Sequence, residues 1–506
     1  MPPSPTCLMG IDCGTQSTTA GVWSASGRRL ARASAPNPVR TPRPGWAEQD
    51  PRSWWASTRT AIRGVLQRVA PARIAAVGVA YQRETFTLLD ASGRPLRPGI
   101  LWLDVRAADE VDQVAREVGR QSYHKRTGKP LDVTSALPRL RWLQRHEPAC
   151  LAAAARWMDV GGYLAGKLTG RYATCTAGAD TCGLIGLKSR DWIDDYADCA
   201  GLKRARLPEL VEPGQVIGGL SRSAARQTGL REHLPVVAAG GDGQVFNVGM
   251  NAAGAYDVSL TLGTSIVLGL SCPNAPIAPL FRTLLGASGG YLLESVLQAG
   301  TYLLRWFVER FGGTEAAWDR RIARIPLGCE GLVTLPHWWG VRFPRTLPDA
   351  RGATLGWSNH HTAAHFYRSL LEGLSFELRR LLGELRARFP RRVRRRVHVG
   401  GGGARSRHWS QVLADVTGAD VLLPAEPETT ALGAAILAGV GAGLFANARD
   451  GGASLCRPPA TLRPDRAAVR FCDRLYEDVY VKLFDATAGL SQRLRRIGEG
   501  QDRRRV

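Results

Sequence analysis

The chain has few of the features that mark secreted, membrane or metal-binding proteins. Its ten cysteines include no Cys-x-x-Cys pair, which argues against a zinc site and against a disulfide framework. It has no run of about 20 uninterrupted apolar residues, as a membrane helix would need. Its first residues, Met-Pro-Pro-Ser-Pro, do not resemble a signal peptide. These absences argue against a membrane partner and predict a protein of the reducing cytoplasm.

Acidic residues are scarce relative to basic ones. The chain has 67 Lys and Arg residues against 44 Asp and Glu, a formal net charge of +23. Nucleic-acid binding, phosphate-bearing ligands, or an arginine-rich composition spread over solvated faces would each explain this charge. The densest basic runs, residues 391–396 and 493–505, lack the interleaved aromatic residues of a stacking platform. We therefore do not expect a nucleic-acid partner, and we expect residues 486–506 to form a basic, disordered tail.

The features that are present indicate a globular α/β protein. A chain of 506 residues is too long for one core, and 44% hydrophobic with 22% charged residues is an ordinary globular composition. Predicted strands and helices alternate along most of it, which is typical of α/β domains. Asp50 and the proline after it predict a helix start, and further helices are predicted at residues 301–311, 362–388 and 406–417.

Two short segments predict hairpins that can bind an anion. Residues 11–17 (Ile-Asp-Cys-Gly-Thr-Gln-Ser) and residues 262–265 (Leu-Gly-Thr-Ser) each follow a strand-forming run and lead into an apolar one. Glycine has no side chain, so backbone N–H groups and a threonine hydroxyl at such a tip can approach a phosphate closely. An ordinary surface turn explains one such hairpin, whereas two in one chain indicate two similar halves that each hold phosphate.

Polar residues follow other apolar runs, where the ligand-binding groups of open α/β sheets collect. Gln82, Arg83 and Glu84 follow the predicted strand at residues 74–80, and they are either site residues or a surface ion pair. Asp242 stands between glycines at the end of another predicted strand. Its turn is either simply tight or closely approached by another group.

The hairpins, the strand-end aspartate and a glycine-rich turn before a helix together resemble an FGGY-family carbohydrate kinase. The resemblance extends from about residue 7 to residue 443, and it rests on residues 10–15, 45–51, 100–106, 240–242, 262–265, 401–404 and 428–435. It implies a two-domain α/β fold of the actin/hexokinase-like (ribonuclease H-like) ATPase type, with a cleft between the lobes. Residues 1–250 would form the N-terminal domain, with the sugar site and the catalytic aspartate. Residues 251–485 would form the C-terminal, nucleotide-binding domain.

The resemblance also implies ATP and Mg²⁺ as cofactors. Asp242 resembles the general base that takes the proton of the attacking hydroxyl. Asp12 resembles the carboxylate near Mg²⁺, acting through water because Mg²⁺ keeps much of its hydration. The implied ATP-binding residues are those of the two hairpin tips and the glycine-rich turn, namely Gly14, Thr15, Gln16, Gly263, Thr264, Gly402, Gly403 and Ala404.

The motifs for the substrate are mixed. Residues 82–85 (Gln-Arg-Glu-Thr) resemble the glycerol kinase motif in which Arg and Glu bind vicinal hydroxyls, and residues 256–265 instead resemble xylulokinase. Residues 132 and 133 lack the tyrosine of glycerol kinases. Xylulokinases usually carry Met-His where this chain has Gln82 and Arg83. The implied substrate-binding residues are Gln82, Arg83, Glu84, Trp102, Asp242 and Gln244.

The sequence therefore predicts ATP-dependent phosphorylation of a small sugar, a pentulose such as xylulose. Glycerol or another short polyol is the alternative substrate. A nucleotide-binding sensor without catalysis is an alternative of another class, against which the retained Asp12, Asp242 and Thr264 argue. This chain differs from the signature sequences of the family at Ala136 and Trp357, which are not among the residues named for catalysis or binding. Dimers are common in the family, so a homodimer is possible, but no segment identifies an interface.

Overall fold

The computed structural model describes residues 7–341, 347 and 349–502, in which strands and helices alternate. The strands are β1 (Cys7–Cys13), β2 (Ser17–Ser24), β3 (Arg29–Pro36), β4 (Glu48–Gln49), β5 (Ile74–Tyr81), β6 (Phe86–Leu89), β7 (Gly99–Ile100), β8 (Arg156–Asp159), β9 (Ala173–Cys175), β10 (Glu209–Val211), β11 (Val216–Gly219), β12 (Pro235–Gly241), β13 (Val258–Leu262), β14 (Ile266–Cys272), β15 (Arg282–Leu285), β16 (Tyr291–Leu297), β17 (Val333–Leu335), β18 (Ala353–Leu355), β19 (Arg396–Gly400), β20 (Asp420–Leu423) and β21 (Ala460–Leu462). The helices are α1 (Pro51–Leu66), α2 (Ala108–Val118), α3 (Arg120–Thr127), α4 (Ala136–His146), α5 (Pro148–Ala153), α6 (Val160–Thr169), α7 (Thr176–Ala179), α8 (Asp194–Cys199), α9 (Arg222–Thr228), α10 (Asp242–Gly249), α11 (Thr301–Phe311), α12 (Glu315–Ile322), α13 (Ala363–Arg388), α14 (Arg407–Thr417), α15 (Thr429–Gly441), α16 (Ala448–Leu455), α17 (Arg466–Leu475) and α18 (Val481–Asp502).

Two large sheets share one topology. The first has the strand order β11-β12-β5-β1-β2-β3, and the second has the order β15-β16-β14-β13-β19-β20-β21. In each, an antiparallel hairpin (β1–β2 or β13–β14) continues through a parallel neighbour of its first strand (β5 or β19). A second parallel strand (β12 or β20) and an antiparallel edge strand (β11 or β21) follow. The two similar halves predicted from the hairpins are confirmed. We call the parts around these sheets the first and the second lobe.

Helix α1 begins where its predicted capping residue places it, and other predicted helices lie close to the observed ones. Asp50 accepts a hydrogen bond from the Arg52 N–H at 2.9 Å and caps α1, whose first residue is proline. Ser406 accepts one from the Trp409 N–H at 2.9 Å and caps α14. The predicted helix at residues 301–311 has those same bounds, and the one at 362–388 begins one residue later.

Helix α15 crosses from the second half of the sequence to the first sheet. It belongs to the hydrophobic core of β1, β5 and β12. A Cβ atom at Gly10 of β1 would lie 1.8 Å from the Ala431 carbonyl oxygen, and one at Gly78 of β5 would lie 1.9 Å from that of Ala434. Glycines in the sheet and small residues on the helix therefore allow backbone-to-backbone packing. The boundary predicted after residue 250 separates the two sheets, but not this helix from the first lobe.

The C-terminal segment differs from its prediction. Residues 486–502 continue helix α18 and do not form a disordered tail. Just before this segment, Tyr480 and Phe484 are buried in a small cluster with Phe376 and Cys472. Within the segment, Ser491 is also buried. A helix that starts on a packed surface extends at little cost, because each added residue contributes a hydrogen bond. Residues 503–506 lie outside the described residues.

The structure also bears on the cysteines and on the length of the apolar helices. The ten cysteines are free thiols. Among the described residues, no helix has both the length and the apolar character that crossing a membrane requires.

Candidate functional site

Hydrogen bonds from neighbouring residues to its carbonyl oxygens hold the tip of the first hairpin in place. Asn37 Nδ2 donates a hydrogen bond to the Gly14 carbonyl oxygen at 2.8 Å, and Gln49 Nε2 donates to that of Thr15 at 2.6 Å. The Gln16 carbonyl oxygen accepts from the Asn37 N–H at 2.8 Å. No described residue accepts a hydrogen bond from the N–H groups of Thr15 and Gln16. The tip therefore presents free backbone donors, as anion-binding loops do.

The tip of the second hairpin is held by helix α11. The Thr301 N–H donates to the Gly263 carbonyl oxygen at 2.8 Å, and the Tyr302 N–H donates to that of Thr264 at 3.4 Å. These donors belong to the first turn of the helix, where N–H groups have no partner within the helix. A Cβ at Gly300 would lie 2.6 Å from both carbonyl oxygens, so only glycine allows this approach. Within the described chain, the N–H groups of Gly263 and Thr264 have no partner.

Both hairpin tips contribute to one cavity of about 350 Å³ between the lobes. A second cavity of about 210 Å³ adjoins it, and Asp12 and Gly14 lie in its wall. We call the two cavities together the cleft. The lining of the larger cavity consists of Thr15, Arg83, Glu84, Trp102, Thr134, Asp242, Thr261, Thr264, Ser265, Val267, Arg282 and Val296. The fold thus brings the threonines of both tips and Asp242 to one place.

Asp242 is the first residue of α10 and directly follows β12. Its Oδ1 accepts a hydrogen bond from the Gly243 N–H at 2.7 Å and lies 3.2 Å from Arg83 Nε. Burial raises the pKa of Asp242 above its ordinary value, and the Arg83 charge and the Gly243 N–H oppose this rise. The carboxylate keeps 38% of its side-chain surface exposed. A carboxylate with a raised pKa that faces a cavity is suited to act as a general base.

The glycines on either side of Asp242 make room for Arg83. A Cβ at Gly241 would lie 2.7 Å from Arg83 Cγ and Cδ, and one at Gly243 would lie 2.8 Å from Arg83 Cζ. The turn is therefore closely approached by another group, and that group is the arginine that pairs with the aspartate.

Asp12 in β1 provides a second carboxylate at the cleft. Its Oδ1 is buried and has no hydrogen-bond partner in the described part of the chain. Burial, with the negative charges of Asp242 and Glu428, raises the pKa of Asp12 to about 8. A cation beside this oxygen would stabilise the ionised carboxylate, so Asp12 fits the predicted Mg²⁺ position. The described residues contain no group of three or more side chains that could bind a metal, and a hydrated Mg²⁺ carried by ATP needs none.

Arg83 and Glu84 belong to a charge network that the sequence analysis missed. Arg83 Nη1 donates to Glu294 Oε2 at 2.8 Å, and Arg282 Nη1 donates to Glu84 Oε1 at 2.6 Å. Arg282 Nε donates to Glu294 Oε1 at 2.6 Å. Burial would raise the pKa of Glu294, but the two arginines lower it to about 2. A glutamate in the apolar run of β16 was the available signal for Glu294, whereas no pattern marked Arg282.

The other predicted substrate residues divide into two groups. Trp102 lies in the lining, and its Nε1 donates to Thr15 Oγ1 at 2.9 Å. Gln82 and Gln244 are each 1% exposed and lie behind the lining. Gln82 Oε1 accepts from the Thr15 hydroxyl at 3.1 Å, and Gln244 Nε2 donates to Asp180 Oδ1 at 3.3 Å. Because their amide groups bind within the protein, these glutamines support the lining and do not form part of it.

The glycine-rich turn follows β19 next to the second hairpin, as the 3₁₀ segment Gly402–Arg405. Gly403 is buried, and a Cβ there would lie 2.4 Å from the Trp409 ring. A Cβ at Gly402 would meet no described atom within 4 Å. Gly402, Gly403 and Ala404 are not in the lining of the cleft, so their contact with adenosine stays a prediction.

Comparison with protein families matches two domain descriptions to nearly the whole chain. Residues 7–249 match the N-terminal domain of the FGGY family of carbohydrate kinases, and residues 258–442 match its C-terminal domain.

Similar curated proteins include kinases for different substrates. The chain is 30% identical to a xylulose kinase of Escherichia coli over 81% of this chain and 84% of that protein. It is 31% identical to a glycerol kinase of Alkalilimnicola ehrlichii, over 86% and 90% of the two chains. It is 26% identical to a gluconokinase of Bacillus subtilis, over 87% and 88%.

A solved structure shows the same architecture. The crystal structure of xylulose kinase from Rhodospirillum rubrum superposes with a TM-score of 0.87 and 29% identity, over 96% of this chain and all of that one. The predicted two-domain, actin/hexokinase-like fold is confirmed.

Proposed function

Since the chain belongs to the FGGY family of carbohydrate kinases, we propose that it transfers the γ-phosphoryl group of ATP to a hydroxyl of a pentulose such as xylulose. The observation that carries this proposal is the cavity lined by Thr15 and Thr264 of the two hairpin tips together with Asp242. Phosphoryl transfer needs groups that donate hydrogen bonds to the phosphates and a carboxylate near the attacking hydroxyl. This cavity has hydrogen-bond donors from both lobes and the carboxylate of Asp242.

The chemistry assigned to these residues is positioning and proton removal. The free N–H groups at the two tips hold the β- and γ-phosphates from opposite lobes. Asp242 takes the proton of the attacking hydroxyl, and Arg83 orients the carboxylate from 3.2 Å. Phosphoryl transfer depends on alignment and charge neutralisation more than on covalent catalysis, so the two rigid tips make the larger contribution. Closure of the lobes around the phosphates keeps water from competing with the sugar.

Asp12 would hold Mg²⁺ through water, because its buried Oδ1 lacks a partner in the described chain. When bound with ATP, Mg²⁺ supplies neutralisation of the phosphate charge.

Glycerol or another short polyol is the second candidate substrate, and the position of Arg83 and Glu84 in the lining favours it. A carboxylate that accepts and a guanidinium that donates hydrogen bonds suit two adjacent hydroxyls. At about 30% identity, relatives that are named for xylulose, glycerol and gluconate do not decide between these substrates.

A substrate panel tests the proposal directly. ADP release is measured with D-xylulose, L-xylulose, D-ribulose, glycerol, erythritol and D-gluconate. We expect the highest kcat/KM with D-xylulose. Highest activity with glycerol would establish the second candidate. If the protein binds ATP but releases no ADP in the presence of any of these compounds, a nucleotide sensor would be favoured instead.

Replacing the proposed base tests its role. We expect Asp242→Asn to lower kcat by about 10²–10⁴-fold, because the amide cannot accept the proton. ATP binding, measured by calorimetry, should remain within about twofold of the wild type. The control is Asp195→Asn, which removes an exposed carboxylate that pairs with Arg126 outside the cleft lining. Near-normal turnover by Asp242→Asn would refute the assignment.

A further inference from the structure

Five charged side chains at the cleft form a row of alternating sign, Glu84–Arg282–Glu294–Arg83–Asp242. The distances along this row are 2.6 Å for Glu84 to Arg282, 2.5 Å for Arg282 to Glu294, 2.8 Å for Glu294 to Arg83 and 3.2 Å for Arg83 to Asp242. Each arginine lies between two carboxylates, and each oxygen of Glu294 binds a different arginine. The row has a net charge of −1.

The row joins the two lobes. Glu84, Arg83 and Asp242 belong to the first lobe, whereas Arg282 in β15 and Glu294 in β16 belong to the second. The Arg282 side chain is 13% exposed and that of Glu294 is 1% exposed, so these charges are largely removed from water. Ion pairs that are shielded in this way are effective only when they are well oriented, as the charge-assisted hydrogen bonds here are.

Arg282 leaves part of Glu84 available to a ligand. It binds Oε1 of Glu84, and no described residue binds Oε2 of the same carboxylate. Glu84 also has a positive φ of 51°, a strained conformation for a residue other than glycine. Such strain persists only where the surrounding structure holds the residue, and the bond from Arg282 does this from the opposite lobe. The free oxygen lies at a cavity that both residues line.

We propose that Arg282 is a specificity-determining residue, supplied by the second lobe, which positions Glu84 for hydroxyl binding and completes a charge row that favours uncharged polyhydroxy substrates over sugar acids. This inference rests on the proposed function, because it concerns the substrate of that site. It follows from charge: both guanidinium groups at the cleft are already neutralised by carboxylates. A substrate carboxylate would meet a net negative row, and burial strengthens that repulsion.

The first test measures the positioning of Glu84. In Arg282→Gln, KM for D-xylulose or glycerol should rise at least about tenfold, the loss expected from one charge-assisted hydrogen bond. The change in kcat should be smaller, and KM for ATP should stay within about twofold. Arg282→Lys keeps the charge but cannot bind two carboxylates in the same planar geometry, so its KM should be intermediate. The control is Arg171→Gln, which breaks an exposed pair with Glu209 outside the cleft lining.

The second test changes the charge of the row. Glu294→Gln removes the carboxylate shared by both arginines and leaves them partly unneutralised. The ratio of kcat/KM for D-gluconate to kcat/KM for D-xylulose should rise at least about tenfold, because one negative charge is lost near the substrate. The thermal unfolding midpoint of each variant shows that it is folded. The Arg282→Gln/Glu294→Gln double variant restores a net charge of −1 and should lose the increased gluconate ratio.

The outcomes separate the two proposals. A wild-type enzyme that phosphorylates none of the compounds refutes the proposed function. A wild type that phosphorylates D-xylulose or glycerol, with unchanged KM in Arg282→Gln and an unchanged gluconate ratio in Glu294→Gln, refutes this inference alone. Preference of the wild type for D-gluconate also refutes it. A KM that rises in Arg282→Gln and recovers partly in Arg282→Lys supports it.

Discussion

Asp242 and Arg83 illustrate how one neighbour sets the chemistry of a carboxylate. Burial alone would raise the pKa of Asp242, which makes its carboxylate a stronger base but also keeps it protonated up to a higher pH. The positive charge of Arg83 limits this rise in pKa. The glycines beside Asp242 allow the arginine to approach. Arg83 is held in turn by Glu294, so the surroundings of the proposed base Asp242 depend on a residue of the other lobe.

The pH dependence of the reaction tests this arrangement. As the proposed general base, Asp242 must be ionised, so activity should fall as the pH drops through its pKa, which lies above the ordinary aspartate value of 3.8. In Arg83→Gln the lost positive charge should raise this pKa further and move the acid limb of kcat/KM to higher pH. Arg83→Lys should leave the limb nearer its wild-type position. A limb that moves to lower pH in Arg83→Gln would contradict the assignment.

At the scale of elements, the hairpin tips and helix α15 depend on contacts with distant segments. Each tip has its carbonyl groups bound, by Asn37 and Gln49 in one case and by α11 in the other. The N–H groups then remain available. Helix α15 packs on the first sheet at backbone distance, because glycines of the sheet face its small residues.

Substitution of glycine tests the packing of α15. Gly10→Ala should lower the free energy of unfolding by about 3 kcal/mol or more, because the new methyl group overlaps the Ala431 backbone oxygen. The matched control is Gly383→Ala in α13, where no atom lies within 4 Å of the new Cβ. That change should be neutral or stabilise by up to about 1 kcal/mol, through helix propensity. Equal stabilities of the two variants in denaturant titrations would contradict the close packing.

On the scale of the whole molecule, contacts between described residues connect the two lobes at several places, of which two bear on the cleft. Helix α15 attaches the second half of the sequence to the core of the first lobe. The charge row attaches β15 and β16 of the second lobe to Glu84 and Arg83 of the first. The cleft lies between the lobes, so their relative position determines whether the two hairpin tips can bind the same phosphates, as we propose.

The net charge of +23 belongs to the whole molecule, and we expect it not to indicate nucleic-acid binding. Arginines such as Arg97, Arg106 and Arg204 are already in ion pairs. We expect no measurable binding of a DNA duplex at about 150 mM salt by fluorescence anisotropy, because screening weakens contacts from dispersed charges. A steep salt dependence that persists after deletion of residues 486–506 would contradict this expectation.

Much of the fold could be predicted because its signals are local. The Gly-Thr tips, the Asp50 cap and the helix at 301–311 each depend on a few neighbouring residues. The repetition of the hairpin motif was enough to predict two similar halves. The exception is the tail, where composition predicted disorder but a packed cluster at residues 480–484 starts a helix.

The sequence by itself determined the hairpins, the strand-end carboxylates and the kinase family. Only the tertiary structure decided which polar residues face the cleft. Gln82 and Gln244, which were predicted to bind substrate, lie buried behind the lining, whereas Arg282, which was not predicted, lies in it. The reason is distance along the chain: Arg282 and Glu84 are 198 residues apart, and no local pattern specifies a pair that forms only when two lobes meet.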